Sequence, residues 1–329
     1  MPDSKLQQLL CGGLFALASM PALHNAHAQD YPAKPLRWLV GTAVGGGNDL
    51  LARLVAEKLS GKLGRRVVVD NRTGASSQIA MELAAKSAPD GYTLYLISAT
   101  ATINQAFQRA GRSVDVLRDF DGITRMTSQS NILLVPVTSS VRSVNDLITY
   151  AKSRPKGLTY GSSGGGSSSY LSAELFNHMA KVRTNHIPYK GGVPVLIDLI
   201  GGQLDFTFGL YSSTQAHVNS GKLHAVAVTG KNRVSLLPNV PTVDESGLPG
   251  YEVVGWYGAV VPVGTPKAVI KLLNTQIIEI MQMPDVRDRI RQDAAEVSSL
   301  SSEEFARYLK EDIAKWTKLV KDAGLRIDE

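Results

Sequence analysis

The sequence predicts an α/β fold with two lobes. Short apolar runs alternate with amphipathic stretches, which is the pattern of sheets flanked by helices. This succession occurs twice, at residues 36–97 and again at residues 132–229. The chain of 329 residues also exceeds the length of about 250–300 residues at which single hydrophobic cores stop growing. Two lobes in turn imply a cleft between them.

Residues 1–28 have the features of a cleaved export signal. A short polar start is followed by an apolar run from Leu9 to Met20, and Ala26-His27-Ala28 resembles a small-residue cleavage site. The run is shorter than the roughly 18 apolar residues that span a bilayer. We therefore expect a periplasmic mature protein that begins near Gln29 and lacks cysteine. Lipidation of Cys11 is the weaker alternative, because leucine precedes it where lipidation signals have a small residue.

The first α/β unit follows the signal. Its predicted elements are a strand at Leu36–Val40, a helix from about Asn48 to Leu63, a strand at Val67–Val69, a helix near Ser76–Ser87 and a strand at Thr93–Ile97. In the first helix Leu50, Leu51, Leu54, Val55 and Leu59 recur at spacings of three and four residues. This apolar stripe is expected to be core that packs on the sheet.

A second unit and a helical tail complete the chain. The predicted elements of the second unit are strands at Ile132–Val137, Leu158–Tyr160, Asn185–Pro188, Leu204–Phe208 and Ala225–Thr229, with helices at Val144–Ser153, Ser168–Ala180 and Pro194–Ile200. After Tyr251–Val261 we predict two helices, Lys267–Met281 and Glu303–Ala323, with no strong strand between them. Ser301 and Glu304 have capping-box spacing at the start of the last helix.

The charge pattern favours a small anionic ligand. The formal net charge is +6 and the isoelectric point is about 9.3, which suits an anion. Lys and Arg are scattered among acidic residues, and aromatic residues make up only 6% of the chain. Neither a phosphate-tracking stripe nor a base-stacking platform is visible, so we expect no nucleic-acid partner.

Two glycine-rich turns each join a strand to a helix, at residues 44–49 and 163–168. Glycine lets backbone N–H groups approach an anion, and the helix N-terminus adds partial positive charge. Turns in different lobes could face each other across the cleft and each bind a carboxylate. The alternative is that the glycines merely permit tight turns. Asp49 is expected to cap its helix through backbone N–H groups.

The second turn also supports an enzyme hypothesis. Gly161-Ser162-Ser163-Gly164-Gly165 matches the G-x-S-x-G pattern of a hydrolase nucleophile elbow, with Ser163 as the nucleophile. Asp205 and then His217 or His224 follow in the right chain order. The match is loose in a stretch rich in Gly and Ser, and these hydroxyls can equally bind a ligand. Neither turn has nucleotide-binding spacing.

The histidines after the signal show no metal-ligand spacing, so we predict no metal site and no cofactor. Tyr189 and Lys190 follow a predicted strand whose end could face the cleft. Lys190 could attract an anion and Tyr189 could offer a hydroxyl or a ring face, or both could be ordinary surface residues. Trp256 is expected in the core.

Several ordered blocks have a familiar form: Tyr31–Arg37, Gly45–Arg53, Val69–Arg72, Ala88–Leu94, Leu158–Ser162, Ile187–Gly192 and Leu237–Thr242. With these blocks the chain resembles the solute-binding proteins of the tripartite tricarboxylate transporters, the Bug family, along its mature length. The resemblance implies a two-lobed periplasmic binding protein fold of the Venus-flytrap kind, type II-like, in which each lobe is a mixed sheet flanked by helices. It places lobe 1 at residues 30–129 with 254–329, and lobe 2 at residues 130–253.

The resemblance also implies the ligand site. One carboxylate would be held, often through ordered water, by the loops after the first and third strands, and the second lobe would contribute its serine-rich turn and the Tyr189 region. The site residues expected on this basis are Thr42, Ala43, Val44, Asn48, Asp49, Ser98, Ala99, Thr100, Ser162, Ser163, Gly164, Ser167, Ser168, Tyr189, Phe208 and Gly209.

Two positions depart from the family pattern. The chain has Gly41-Thr42 where the family usually has Pro-Phe or Pro-Tyr, and Gly209 after Phe208 where an Asp is common. Loss of that Asp would remove an acceptor for an amino group, and a smaller residue would leave room for a ring. We therefore expect a dicarboxylate, aromatic ligands included, in preference to an amino acid.

The sequence thus predicts a monomeric periplasmic receptor, not an enzyme, that captures a small organic acid by hinge closure and delivers it to integral-membrane permease subunits. A secreted serine hydrolase using Ser163 and a ligand sensor for a signalling receptor are the alternatives.

Overall fold

The computed structural model describes residues 31–45, 47–74, 77–107, 114–164, 166–189, 191–292 and 295–325. The predicted signal peptide, residues 1–28, and Lys190 lie outside these stretches. From Pro32 onward the chain forms one compact unit. Among the helices of the described stretches, none has the length and hydropathy that a membrane crossing requires.

The first α/β unit is built around a parallel sheet. Strand β1 (Leu36–Val40) pairs in parallel with β2 (Val67–Asn71) on one side and β3 (Thr93–Ser98) on the other. The bounds of β1 agree with the prediction, because a central parallel strand covered by helices forms a continuous apolar run. The helices of this unit are α1 (Gly47–Leu63), α2 (Gln78–Ala85), α3 (Ala99–Ala106) and α4 (Val116–Asp119).

The apolar stripe of α1 packs differently from the prediction. Leu50 is 42% exposed and Leu54 is half-buried, so the expectation that the whole stripe is core is wrong. Ala52 and Ala56 are buried instead. The buried face of α1 therefore includes the two alanines, and Leu50 and Leu54 lie towards a cavity.

Strand β4 (Phe120–Pro136) and β9 (Val254–Pro262) connect the first unit to the second. Up to Ser130, β4 pairs with β9 in antiparallel fashion, and from Asn131 it pairs with the strands of the second unit. The Thr229 hydroxyl links the two segments that pass between the units. It accepts a hydrogen bond from the Asn131 backbone N–H at 2.8 Å and donates one to the Val253 carbonyl oxygen at 2.6 Å. The chain therefore crosses between the units twice, at adjacent positions.

The second unit contains another parallel sheet. Its central strand β5 pairs in parallel with β6 and β7, and β4 pairs with β7 and β8. The strands are β5 (Leu158–Ser162), β6 (Thr184–Pro188), β7 (Phe206–Leu210) and β8 (Leu223–Val228), and the helices are α5 (Val144–Ser153), α6 (Ser168–Ala180), α7 (Gly192–Ile200) and α8 (Tyr211–Asn219).

The tail returns to the first unit. Its elements are α9 (Lys267–Met281), α10 (Pro284–Gln292), β10 (Ala295–Val297) and α11 (Ser302–Ala323). The two predicted helices, α9 and α11, are present, and the only described strand between them, β10, has three residues and pairs with β4. The prediction missed α10, which buries only two apolar side chains and so gives a weak pattern. The capping box of Ser301 and Glu304 at the start of α11 is confirmed.

Candidate functional site

A cleft lies where five helices begin. It encloses a cavity of about 260 Å³. Helices α1, α2, α3, α6 and α8 each contribute a first-turn residue or the residue that precedes it, and β4, β9 and the loop after β1 supply most of the remaining wall. The lining residues are Thr42, Asn48, Ser77, Ser98, Ala99, Thr100, Ile103, Thr127, Gln129, Ser167, Ser168, Leu210, Gly255, Trp256 and Tyr257.

The loop between β1 and α1 is held by the buried carboxylate of Asp49. Asp49 accepts hydrogen bonds from the Gly45 backbone N–H at 2.8 Å, from Arg53 Nε at 2.9 Å and from Asn71 Nδ2 at 2.9 Å. Burial alone would raise the pKa of Asp49, but these hydrogen bonds outweigh it and lower the pKa below its ordinary value. Asp49 therefore fixes the loop. Its backbone partner, Gly45, precedes α1, so this bond differs from the predicted cap, in which Asp49 accepts from N–H groups of the helix.

Thr42 in the same loop has a hydroxyl without a partner. Its carbonyl oxygen accepts a hydrogen bond from Asn71 Nδ2 at 3.0 Å, which fixes the backbone. Its Oγ1 is buried and makes no hydrogen bond to any described residue. Buried hydroxyls are nearly always hydrogen-bonded, so this hydroxyl in the wall of the cleft is an exception.

Helix α3 presents Ser98, Ala99 and Thr100 to the cleft from its first turn. The helix is anchored one turn deeper, where the buried Thr102 Oγ1 lies 2.7 Å from Asp312 Oδ2 on α11. Trp256 Nε1 donates to the same carboxylate at 3.3 Å. Trp256 is therefore core, as expected, and it also forms part of the cleft wall.

The serine-rich turn between β5 and α6 is internally hydrogen-bonded. Ser167 caps α6 by accepting the Tyr170 N–H at 3.2 Å, and its hydroxyl donates to the Gly164 carbonyl at 2.7 Å. The hydroxyl oxygens of Ser163 and Ser169 lie 3.0 Å apart and form a hydrogen bond in which either can be the donor. This turn borders a second cavity of about 230 Å³, which we call the serine cavity. Its lining residues are Asn131, Ser163, Ser168, Ser169, Gly192, Val193, Val195, Leu196, Thr207, Phe208, Gly209, Leu210 and Ser213.

The residues of the hydrolase hypothesis are not assembled as a triad. Asp205 accepts the Thr159 N–H at 2.7 Å, near the beginning of β5, whereas Ser163 follows the end of that strand. A strand rises about 3.3 Å per residue, so the four residues from Thr159 to Ser163 put about 13 Å between these two positions. The histidine at this turn is His186, whose Nε2 lies 2.7 Å from Ser162 Oγ, and Ser162 is fully buried.

The predicted site residues fall into three groups. Seven line the cleft, namely Thr42, Asn48, Ser98, Ala99, Thr100, Ser167 and Ser168, and Ser163, Phe208 and Gly209 line the serine cavity. Ala43, Val44, Asp49, Ser162, Gly164 and Tyr189 are not among the lining residues of either cavity. The Tyr189 hydroxyl donates to Asp198 Oδ2 at 2.6 Å, and this bond raises the pKa of Tyr189 to about 12.

Sequence reasoning missed the lining residues of the crossing strands, above all Thr127 and Gln129 of β4 and Tyr257 of β9. No local motif marks them, because the antiparallel pairing of β4 with β9 brings them to the cleft.

The interpretation of Gly209 as extra room for a ring is wrong. A Cβ at Gly209 would lie 2.8 Å from Thr214 Cγ2 and 3.4 Å from Leu134 Cδ1, so the space beside this residue is already filled. Gly41 is similarly enclosed, since a Cβ there would lie 2.3 Å from Ser77 Cβ. Any room for a large ligand must come from elsewhere in the site.

Comparison with known proteins identifies the family. Residues 51–325 match the model of the TctC family, described as tripartite tricarboxylate transporter family receptor. The chain belongs to this family. Protein BugT of Bordetella pertussis (strain Tohama I) is 31% identical over 301 residues, which cover 91% of this chain and 92% of BugT. The resemblance of the sequence blocks to the Bug family is thereby confirmed.

Solved structures of related proteins agree with the fold. The structure of Rpa4515 from R. palustris with adipate matches with a TM-score of 0.73 at 34% identity and covers 90% of this chain and 99% of that one. A TctC solute binding protein from Polaromonas, solved without ligand, matches with a TM-score of 0.81 at 25% identity over 89% of this chain and 99% of that one. The predicted two-lobed periplasmic binding protein fold is confirmed.

Within the described residues of this TctC receptor, no group of three or more His, Cys, Asp or Glu side chains could hold a metal ion.

Proposed function

We propose that this receptor captures the carboxylate of a small organic acid in the cleft and delivers the acid to the membrane subunits of a tripartite transporter. The observation that carries the proposal is the convergence of five helix N-termini on a wall rich in hydroxyl and amide side chains. None of the described lining residues of the cleft is Asp, Glu, Lys, Arg or His.

This arrangement suits an anion for two physical reasons. The first backbone N–H groups of a helix have no intrahelical partner, and the macrodipole places roughly half a positive charge at each N-terminus. Hydroxyl and amide donors can then orient the carboxylate directly or through water. Carboxylates repelling the ligand are absent from the described wall, and the family supports the same function, since the related Rpa4515 was solved with adipate.

The finer parts of the proposal follow from the geometry and the family. The ligand contacts would be Thr42, Asn48, Ser98, Ala99 and Thr100 on one side and the serine-rich turn on the other. The lobes would be residues 30–129 with 254–329 and residues 130–253, with closure about the two crossings near Thr229. The mature chain would be a periplasmic monomer after removal of residues 1–28.

The proposal includes no enzymatic reaction. The separation of Asp205 from Ser163 along β5 and the burial of Ser162 both weigh against a serine hydrolase. Inertness of the protein towards a serine-directed phosphonate probe is the expected result, and covalent labelling of Ser163 would contradict it.

Calorimetric titration of the mature protein with mono-, di- and tricarboxylates and with amino acids tests the proposal. We expect saturable binding of an acid, and a loss of about tenfold or more in affinity when Thr100→Val is combined with Ser168→Ala, because hydrogen bonds to charged groups contribute about 1.5–3 kcal/mol each. Thr317→Val is the matched control, since Thr317 bonds within α11 to the Ile313 carbonyl. No binding of any acid, or equal affinity in the double variant, would refute capture in the cleft. If the protein bound a receptor-kinase ectodomain in a ligand-dependent way and did not bind a permease, the alternative function, a ligand sensor for a signalling receptor, would be favoured.

A further inference from the structure

A third cavity adjoins the cleft, and we call it the side chamber. It has a volume of about 470 Å³ and is the largest of the three cavities described. It lies among the first turns of α1, the end of α10 and β10. Its apolar wall comprises Leu50, Leu51 and Leu54 of α1, Ile290 of α10 and Ala295 of β10.

The side chamber shares part of its wall with the cleft. Thr127, Gln129, Leu210 and Tyr257 line both cavities. Leu210, the last residue of β7, also lines the serine cavity, so the three cavities meet at this side chain. The shortest route from a carboxylate in the cleft to the side chamber therefore runs past these shared residues.

The leucines of the side chamber are not explained by the core. The stripe on α1 leaves Leu50 42% exposed and Leu54 half-buried, although the rest of the helix packs on the sheet. Apolar side chains gathered in a concave wall beside polar groups are the usual composition of a small-molecule site. Covering them with an apolar ligand would remove their surface from water.

We propose that the side chamber receives the apolar body of the ligand, so that the receptor selects acids with a long aliphatic or aromatic body over short hydrophilic acids. The inference rests on the proposed function and specifies its ligand class. One carboxylate occupies the cleft, and the body passes Leu210 and Tyr257 towards Leu54 and Ile290. In a diacid of sufficient length the second carboxylate reaches the side of the chamber lined by Arg289.

A chain-length series measures this selection. The affinities of the mature protein for succinate, adipate and suberate are determined by calorimetry, together with those for the aromatic diacid terephthalate. Each methylene that enters the chamber should raise the affinity about fourfold. Leu54→Trp fills the chamber and should lower the affinity for suberate and terephthalate about tenfold or more, with the affinity for succinate changed by less than about twofold.

Two further variants keep the result interpretable. Leu50→Gln makes the wall polar at a side chain that is already 42% exposed and should also weaken the long acids selectively. Leu83→Trp is the matched control, because Leu83 is an exposed leucine on α2 outside the three cavities and should alter no affinity. Equal weakening of all acids by Leu54→Trp, or a preference of the unmodified protein for succinate, would overturn the inference and leave the proposed function standing. Absence of binding by every acid would overturn both.

Discussion

The unpartnered hydroxyl of Thr42 allows a test in which stability and binding change in opposite directions. Thr42 Oγ1 is buried, lies in the cleft wall and has no hydrogen-bond partner among the described residues. A buried hydroxyl without a partner costs about 1–3 kcal/mol of stability. Thr42→Val keeps the branched shape of the side chain and removes this cost, so we expect the free energy of unfolding of the ligand-free protein to rise by about 1 kcal/mol.

Ligand binding should respond with the opposite sign. If the hydroxyl donates to the bound carboxylate, its loss removes a hydrogen bond to a charged group, which contributes about 1.5–3 kcal/mol. The dissociation constant should therefore rise by roughly 10- to 150-fold. The free energy of unfolding is measured by urea denaturation without ligand, and the affinity by calorimetry with the tightest acid of the screen.

Thr102→Val is the matched control. Thr102 belongs to the same α/β unit as Thr42, but its hydroxyl has a partner, since it donates a hydrogen bond to Asp312 Oδ2 at 2.7 Å. This variant should lose about 1.5–3 kcal/mol of stability and retain its ligand affinity. The reasoning about Thr42 is refuted if Thr42→Val is less stable than the unmodified protein, or if its affinity is unchanged.

Three further predictions concern the loop, the chamber and the glycine before Thr42. Asp49→Asn should lower the free energy of unfolding at neutral pH by about 1–3 kcal/mol. Because the pKa of Asp49 is lowered in the folded state, its stabilisation is present above the unfolded pKa of about 4 and is lost as the pH falls through the folded pKa, so the difference should vanish in acid. Gly41→Ala should cost about 1–3 kcal/mol, because its Cβ would meet Ser77 Cα at 2.8 Å and Cβ at 2.3 Å. Arg289→Gln should weaken long diacids several-fold, about threefold to tenfold, and leave monoacids of equal length unchanged, as measured by calorimetry.

Each of these has a control or a contrary outcome. Gly61→Ala, in α1 with no atom near its Cβ position, should stabilise the protein by about 0.5–1 kcal/mol in the same denaturation assay. A stability difference for Asp49→Asn that persists in acid would show that the carboxylate charge is not the source of the effect. Equal weakening of mono- and diacids by Arg289→Gln would place the second carboxylate elsewhere.

The predictable part of the fold is the part where local pattern and tertiary environment agree. The bounds of β1, α5, α6 and α9 follow from buried apolar runs and, for α5 and α6, from the N-cap residues Ser143 and Ser167. Helices α3 and α8 are short, α8 has a largely polar sequence and α3 mixes alanines with threonine and amide residues, and neither was predicted. Both begin at the cleft, where function favours hydroxyl and amide side chains over an apolar stripe.

The same distinction explains which site residues could be found. Thr42, Asn48 and Ser98 to Thr100 follow strands of a parallel sheet, and sites in such sheets lie at the carboxyl ends of the strands. The side chamber could not be predicted, because its walls combine α1 with α10, a stretch about 240 residues later in the chain. Which leucines of α1 reach it depends on the orientation of the helix on the sheet, and the apolar spacing alone does not give that orientation.

The neutral wall of the cleft has a consequence for how uptake responds to acidity. Between about pH 5 and 8 only groups such as histidine normally change charge, and no histidine, lysine or acidic side chain is found among the described residues of that wall. Backbone dipoles and hydroxyls keep the same electrostatic character throughout this range. If the ligand is captured here as proposed, acidity in this range would act through the charge of the solute and not through the described side chains of this wall.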